Sequence, residues 1–560
     1  MKYSSEYSPP ALAGRVDLDL SRNEGRCAGP LATPEVDSSR YPDTSKLRAA
    51  LAKRFNLSAD RVLLTSGGDG ALMRTCLAVL SPGAEAVLPS PTFEMIPRYV
   101  DLAGGQARSF PWPSGPLPVD ELLALCGPQT ELVFVVSPNN PTGAVATAAD
   151  LERIATALPE TLIVLDAAYG EFAEDDLTEK ALEFENVVVV RTFSKAWGLA
   201  GLRVGYALGS QAWIKRLGAS GNPYPVSSAS AEIALSRLLY DEVGMRDYVN
   251  SIAEERSEFM CVLQSLGFSG APGSQANFVL ARELPAAWIE AALGALGIGV
   301  RIFPDNPVLQ DALRITLPGN KPEFERLVRA LQTAAAPPAL LFDLDGVLAD
   351  VSASYRQAIL GTAANFGVTV TPQDVEAAKA RGNANDDWAL TWMLLREAGV
   401  EVSLEEVTSC FEALYQGTVE EPGLRQAESC LVTRELLSGW KRTYALGVVT
   451  GRPRADALFF LERFGLADLF DVIVCREDAE LKPNPAPVQS ALESLGCTSA
   501  WMLGDTRDDI ESALGAGVLP LGVIAPGANP GPAKQGLMAA GAVTVLESVQ
   551  GLEEILPCSQ

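Results

Sequence analysis

The chain contains no histidine in 560 residues. That excludes imidazole as a general base and as a metal ligand, so histidine-bound zinc and nucleophile–histidine relays are ruled out. Cysteine is scarce as well: nine residues, far apart, odd in number and never spaced as CxxC. They read as reduced thiols of a cytoplasmic protein and not as a disulfide framework. No apolar run reaches membrane-spanning length, and the opening MKYSSEYSPP has no signal core, so neither a leader nor a membrane association is expected. Basic residues are in deficit, 44 Lys and Arg against 70 Asp and Glu, for a net charge of −26. A surface of that sign repels nucleic acid and anionic membranes and excludes both as partners. The chemistry left open falls to lysine, aspartate, tyrosine and bound cofactors.

What is present is ordinary globular material, 48% hydrophobic and 20% charged, at a length that calls for two to four domains. Residues 60–205 alternate apolar runs with helical patterns, the βα rhythm of an α/β fold. The strand candidates there are RVLLTS, AEAVLPS, TELVFVVS, TLIVLD and NVVVVRTF. Residues 275–332 read as a small α+β domain with strands NFVLA, GVRIF and LRITL. A Pro/Ala-rich seam, TAAAPPA, is followed at once by the buried strand ALLFDLD. These signals predict a first unit over 1–333. Its large domain spans about 27–240, and its small domain joins the N-terminal segment to about 241–333. A linker at 334–339 and a second α/β unit over 340–560 follow. Residues 352–427 are helical without a clear strand and read as a cap on that second core.

Polar residues cluster just after the strand candidates of the first unit, where open α/β sheets bind ligands. Lys195, in RTFSKAWGLAGLRVG, can form a Schiff base and move protons. Asp166 ends TLIVLD and can keep a pyridine nitrogen protonated. Asn140 in SPNNPTG and Tyr169 in DAAYGEF can donate to a phenolate oxygen. Gly68, Asp69 and Gly70 open a helix whose amides suit a phosphate, and Thr192, Ser194 and Arg203 can complete that cradle. Phe93 can stack on a ring. Singly these are weak signals, since a lone Lys after a strand is usually solvated and GGDG is commonly a loop. Together they describe a pyridoxal-phosphate (PLP) site.

The arrangement resembles fold-type-I PLP aminotransferases over about residues 7–333, and most closely the histidinol-phosphate aminotransferases. SRNEG at 21–25, RYPD at 40–43 and SQANFVL at 274–280 carry the likeness further. The resemblance implies a homodimer in which Tyr41 reaches the cofactor phosphate of the neighbouring subunit. It also implies that Arg301 and Arg314 bind a substrate phosphate or carboxylate, with Tyr7 touching the substrate phosphate. Arginine suits either anion through its planar fork. Three positions depart from the pattern: Ala167 and Gly70 stand where the family carries acidic residues, and the Asn-Glu motif lacks its following proline. A general amino-acid aminotransferase, or a relative acting on threonine phosphate, therefore stays open.

The second unit opens with Asp343 and Asp345 in LFDLDGVL. The first can attack phosphorus, and the second can protonate the leaving oxygen and then activate water. Thr450 and Gly451 in VVTGRP can hold phosphoryl oxygens, and Lys482 in LKPNP supplies a positive charge. Asp505 and Asp509 in GDTRDD can hold Mg²⁺ together with Asp343 and Asp345, since crowded carboxylates need a cation. Asp508 competes with Asp509 for that role. These four motifs in order resemble the haloacid-dehalogenase (HAD) superfamily over 339–560, and Asp345 favours phosphoryl transfer over dehalogenation. In the cap, GNANDDWALTWMLL reads first as a capped helix. The alternative is a substrate-facing loop bearing Asn385, Asp386 and Trp388.

An aminotransferase in series with a phosphatase implies two consecutive steps on one phosphorylated amine, with small-molecule substrates, glutamate or 2-oxoglutarate among them. The leading expectation is transamination of imidazole-acetol phosphate followed by hydrolysis of histidinol phosphate. A histidine-free chain suits a histidine-making enzyme, although compositional drift gives the same zero. The alternatives pair the same chemistries with phosphoserine or threonine phosphate, or make the chain a non-catalytic sensor. The intact Lys195, Asp343 and Asp345 oppose the sensor.

Overall fold

The computed structural model describes residues 14, 16–26, 34–380, 386–417 and 421–556. Tyr7 and Asn385 lie outside the described residues. The chain divides into two compact units, the first chiefly Leu18–Glu290 and Gly299–Val328, the second chiefly the chain from Arg329 onward.

The first unit is built on a seven-stranded sheet. Its order is Val62–Ser66, Val204–Leu208, Val187–Thr192, Leu162–Asp166, Thr130–Val136, Glu85–Ser90 and Gln106–Pro111. Val204–Leu208 runs antiparallel to both neighbours, and the remaining pairs are parallel. Leu162–Asp166 and Val187–Thr192 are buried at every position, as expected of central parallel strands covered on both faces. The edge strand Gln106–Pro111 is exposed at all but one position and carries no hydrophobic signal in the sequence. A separate antiparallel sheet orders Arg301–Ile302, Leu313–Thr316, Phe278–Arg282 and Ser269–Gly270. Arg301 and Arg314 are direct cross-strand partners in it. Like charges in that relation repel unless an anion lies between or beside them.

The second unit has a six-stranded, wholly parallel sheet. Its order is Val472–Val474, Ala445–Val449, Ala339–Phe342, Trp501–Gly504, Leu519–Val523 and Val545–Leu546. Asp343, Thr450 and Asp505 each follow one of the three adjacent strands Ala339–Phe342, Ala445–Val449 and Trp501–Gly504. Parallel pairing alone therefore brings three motifs to one sheet edge. Beneath them Phe342, fully buried, stacks on Trp440 with ring centroids 5.8 Å apart. The cap consists of helices Tyr355–Asn365, Pro372–Ala380, Asp387–Glu397 and Leu404–Gln416. It leaves and rejoins the core through a two-stranded ribbon, Ala349–Asp350 with Ser429–Cys430. Asp386 caps the third of these helices, its Oδ1 accepting from the Trp388 and Ala389 amides, as the capped-helix reading expects. No helix among the described residues is long and apolar enough to cross a membrane.

Candidate active sites

In the first unit, the loop after Val187–Thr192 turns Lys195 back toward the N-terminal segment, where its Nζ donates to the Arg22 carbonyl at 3.2 Å. The two segments pack so closely that a Cβ on Gly25 would lie 1.5 Å from the Lys195 carbonyl oxygen, so only glycine fits there. Burial and the nearby Arg314 guanidinium hold the Lys195 amine down to about 8. The lysine nitrogen sits 5.5 Å from the centre of the Tyr169 ring. Asp166, buried at the end of its strand, is pushed up to about 7 by burial, against the pull of the Ala168 amide at 3.1 Å and of Lys195. A buried carboxylate raised in this way gains stability from a cation placed against it. A protonated ring nitrogen is such a cation, so Asp166 fits a PLP pyridinium.

Asn23 is the residue that motif reading missed. It is buried and left-handed, with φ 54°. Its Nδ2 donates to the Tyr169 hydroxyl at 2.9 Å, its amide donates to Thr316 Oγ1 at 3.0 Å, and its Oδ1 accepts from Thr316 Oγ1 at 3.0 Å. Burial raises the Tyr169 phenol to about 12, so it stays a donor. The only hint in the sequence was its place inside SRNEG.

The residues expected to hold a phosphate lie close to one another. Gly68, Asp69 and Gly70 lie in the first turn of helix Gly67–Val79. Arg203 Nη2 donates to Asp69 Oδ2 at 2.7 Å, and Thr192 and Ser194 bond each other at 2.9 Å. Arg203 Nη1 lies 3.5 Å from Ser194 Oγ. Arg314 donates to Asn140 Oδ1 at 2.6 Å and to the Ser21 carbonyl at 2.5 Å, while Arg301 meets Glu94 at 3.3 Å. Phe93 is half-buried against the core. Tyr41 is 79% exposed and stacks on Tyr224, itself exposed, at 4.5 Å.

In the second unit the carboxylate oxygens of Asp343, Asp505 and Asp509 lie within 4.8 Å of one another, a donor set that fits a hard divalent cation. Asp509, not Asp508, joins the group. It is aimed by a capping box in which its Oδ2 accepts from Thr506 Oγ1 at 2.6 Å and from the Thr506 amide at 3.0 Å. Gly346, with φ 74°, lets the nucleophile loop close on Asp505, whose Oδ2 would be 2.3 Å from a Cβ there. Lys482 Nζ sits between Asp343 Oδ1 at 2.7 Å and Asp509 Oδ1 at 2.5 Å. Burial works against its charge, but the two carboxylates hold the ammonium well above the ordinary lysine value. Asp343 is pushed up to about 7 by burial, with Lys482 opposing and Asp509 and Asp345 adding to the rise.

Asp345, expected as a fourth metal ligand, does not join that group. Its Oδ1 is taken by Arg452, with Nε at 2.7 Å and Nη2 at 2.5 Å, and a guanidinium that close draws the carboxylate away from the other three. Arg452, inside the TGRP motif, was not singled out in the sequence. Asp343, Asp345, Gly451, Asp505, Asp350 and Asp387 line one cleft, and Thr450, next to Gly451 in the chain, is buried.

Residues 29–331 match the family model described as aminotransferase class I and II, and residues 340–523 match that of the haloacid dehalogenase-like hydrolases. The chain belongs to the class I and II aminotransferases and carries a haloacid dehalogenase-like hydrolase domain behind that part. The histidinol-phosphate aminotransferase of Sinorhizobium fredii is 33% identical over 342 residues, 58% of this chain and 90% of that one. An imidazoleglycerol-phosphate dehydratase of Phytophthora nicotianae is 47% identical over 201 residues, 34% of this chain and 44% of its own. This chain thus spans less than half the length of that relative. Among solved structures, the histidinol-phosphate aminotransferase of Sinorhizobium meliloti in complex with pyridoxal-5'-phosphate is 27% identical. It covers 57% of this chain and 91% of its own, with a TM-score of 0.51. The expected joining of an aminotransferase to a haloacid dehalogenase-like hydrolase, the α/β fold class and the enzymatic nature are thereby established.

Proposed function

We propose that the first unit exchanges an amino group between glutamate and imidazole-acetol phosphate, and that the second hydrolyses the product, L-histidinol phosphate, to histidinol and phosphate. The carrying observation is the cross-strand pair Arg301 and Arg314, which brings two guanidiniums to neighbouring positions of the small sheet, one of them already meeting Glu94, and a guanidinium pair suits a phosphate or carboxylate. The relatives named for histidinol phosphate and for imidazoleglycerol phosphate support an imidazole-bearing phosphoester. A cytoplasmic homodimer is part of the same reading, with exposed Tyr41 offered to the neighbouring subunit.

In the first site, bound PLP supplies the electron sink. Asp166 would hold the proton at the ring nitrogen, and Asn140 and Tyr169 would donate to the phenolate oxygen. Ser194, Thr192, Arg203 and the first turn of Gly67–Val79 would hold the cofactor phosphate. Lys195 takes the proton from the substrate carbon and returns it to the acceptor carbon. Its amine must be neutral to react, so capture of PLP by the cofactor-free chain is expected to accelerate as pH rises through about 8. Stopped-flow absorbance would follow this, and a rate insensitive to pH across that value would count against it.

In the second site, Mg²⁺ held by Asp343, Asp505 and Asp509 offsets negative charge. Asp343 attacks phosphorus, the bond from phosphorus to the ester oxygen breaks, and Asp345 gives that oxygen its proton. Asp345 then takes a proton from the water that releases phosphate and restores Asp343. The test is Mg²⁺-dependent phosphate release from L-histidinol phosphate beside phosphoserine and threonine phosphate. Clear preference for the first is expected, and preference for either of the others would move the whole chain to a different phosphorylated amine.

A further inference from the structure

Arg452 lies on the loop behind Ala445–Val449, and its side chain is 1% exposed. Burying a guanidinium is costly unless each face finds an anion or acceptor. Here one edge faces a single oxygen, Asp345 Oδ1: Nε donates to it at 2.7 Å, and Nη2 lies in ion-pair contact with it at 2.5 Å without a hydrogen bond of its own. The other edge, Nη1, donates to Glu428 Oε2 at 3.1 Å and to the Tyr415 hydroxyl at 3.4 Å. Glu428 Oε1 in turn accepts from Ser354 Oγ at 2.8 Å and from Tyr415 at 3.1 Å, and the guanidinium lies 4.8 Å from the Tyr355 ring centre.

These partners are not scattered. Ser354 and Tyr355 begin the first cap helix, Tyr415 lies at the end of the last, and Glu428 precedes the ribbon strand that returns to the core. One buried cation therefore ties Asp345 to both junctions of the cap. Asp345 itself is 27% exposed and lines the cleft beside Asp343. Its Oδ2 accepts no hydrogen bond from the described residues.

We propose that Arg452 is a positioning residue for phosphoester cleavage: it clamps Asp345 Oδ1 so that Oδ2 is the oxygen presented to the leaving group, with its own aim set by Glu428 and Tyr415 at the cap junctions. The proposal rests on the phosphatase reading above. A residue there only to fill space would have no need of charged partners on both edges. The rigid fork is what fixes one carboxylate oxygen and frees the other, and lysine, a single point charge, cannot do both.

The distinguishing measurement is kcat/KM, in the full chain with Mg²⁺, for two probes. One is the best alkyl phosphomonoester of the screen above, and the other is p-nitrophenyl phosphate. An alkoxide leaves slowly without a proton, whereas p-nitrophenolate leaves unaided. Arg452→Lys is expected to lower the alkyl value about 100-fold and the aryl value by less than about fivefold, the span of a lost general acid. Glu428→Gln and Tyr415→Phe are expected to give the same selectivity at about tenfold, and they carry the test if Arg452→Lys does not fold. Equal losses on both probes, or no loss on either, would overturn the proposal and leave the phosphatase reading standing. A parent chain that hydrolyses neither probe would overturn both.

Discussion

Lys195→Arg is expected to abolish amino transfer while phosphate release from the same preparation continues at the parent rate. Arginine preserves bulk and positive charge, but its guanidinium does not lose its proton in a protein, so it can neither attack a carbonyl nor accept a proton from carbon. The parent lysine is suited to both because burial and Arg314 already bring its amine down to about 8. The carbonyl of residue 195 is fixed against Gly25 whatever the side chain, so the loop has little freedom to offer a substitute nucleophile. Loss of a nucleophile that is also the proton carrier costs on the order of 10⁴ to 10⁶ in rate. The measurement is the half-reaction with the amino donor, followed by cofactor absorbance. Retention of a sizeable fraction of the parent rate would remove Lys195 from the chemistry.

Asp343→Asn is expected to do the converse, ending phosphate release by a comparable factor, on the order of 10⁴ or more, and sparing amino transfer. Asparagine keeps the shape and still offers Oδ1 to Lys482, whose second carboxylate partner, Asp509, is untouched. What it lacks is the nucleophilic charge, and it also weakens a three-carboxylate cation site. Phosphate release and amino transfer measured on one sample decide the matter. If both fall together, the substitution has damaged the protein as a whole; if phosphate release survives, Asp343 is not the nucleophile. Each activity thus serves as the folding control for the other.

The residues legible in the sequence are those whose role is set within a few positions of a strand end. Asp166, Lys195, Asp343, Thr450 and Asp505 all follow buried strands, and an apolar run ending in a reactive side chain is visible without coordinates. Asn23 and Arg452 were hidden for the opposite reason. Each sat inside a motif that had been read for its neighbours, and each acquires its role from partners that only the folded chain brings near. Glu428, between unremarkable neighbours, gave no local signal at all. The departure of Asp345 from the metal group has the same origin, because the guanidinium that diverts it comes from 107 residues away. Val204–Leu208 is not among the strand candidates of the sequence, and only its pairing with Val62–Ser66 and Val187–Thr192 fixes it as a strand and sets its antiparallel orientation. Gln106–Pro111 lacked the alternation that marks a half-buried strand.

The hydrogen bonds of Asn23 bear on the order in which the first unit folds. They join positions 146 and 293 residues apart. Closing loops of that size precedes any gain from the contacts they allow, so such contacts form slowly. During synthesis the segment bearing Asn23 waits for Thr316, near the far end of the same unit, before its own bonds can be made. Tyr169 and Lys195 have been synthesised before that, but the contacts that Asn23 shares with Thr316 cannot yet exist. The full set of Asn23 hydrogen bonds therefore requires nearly the whole first unit.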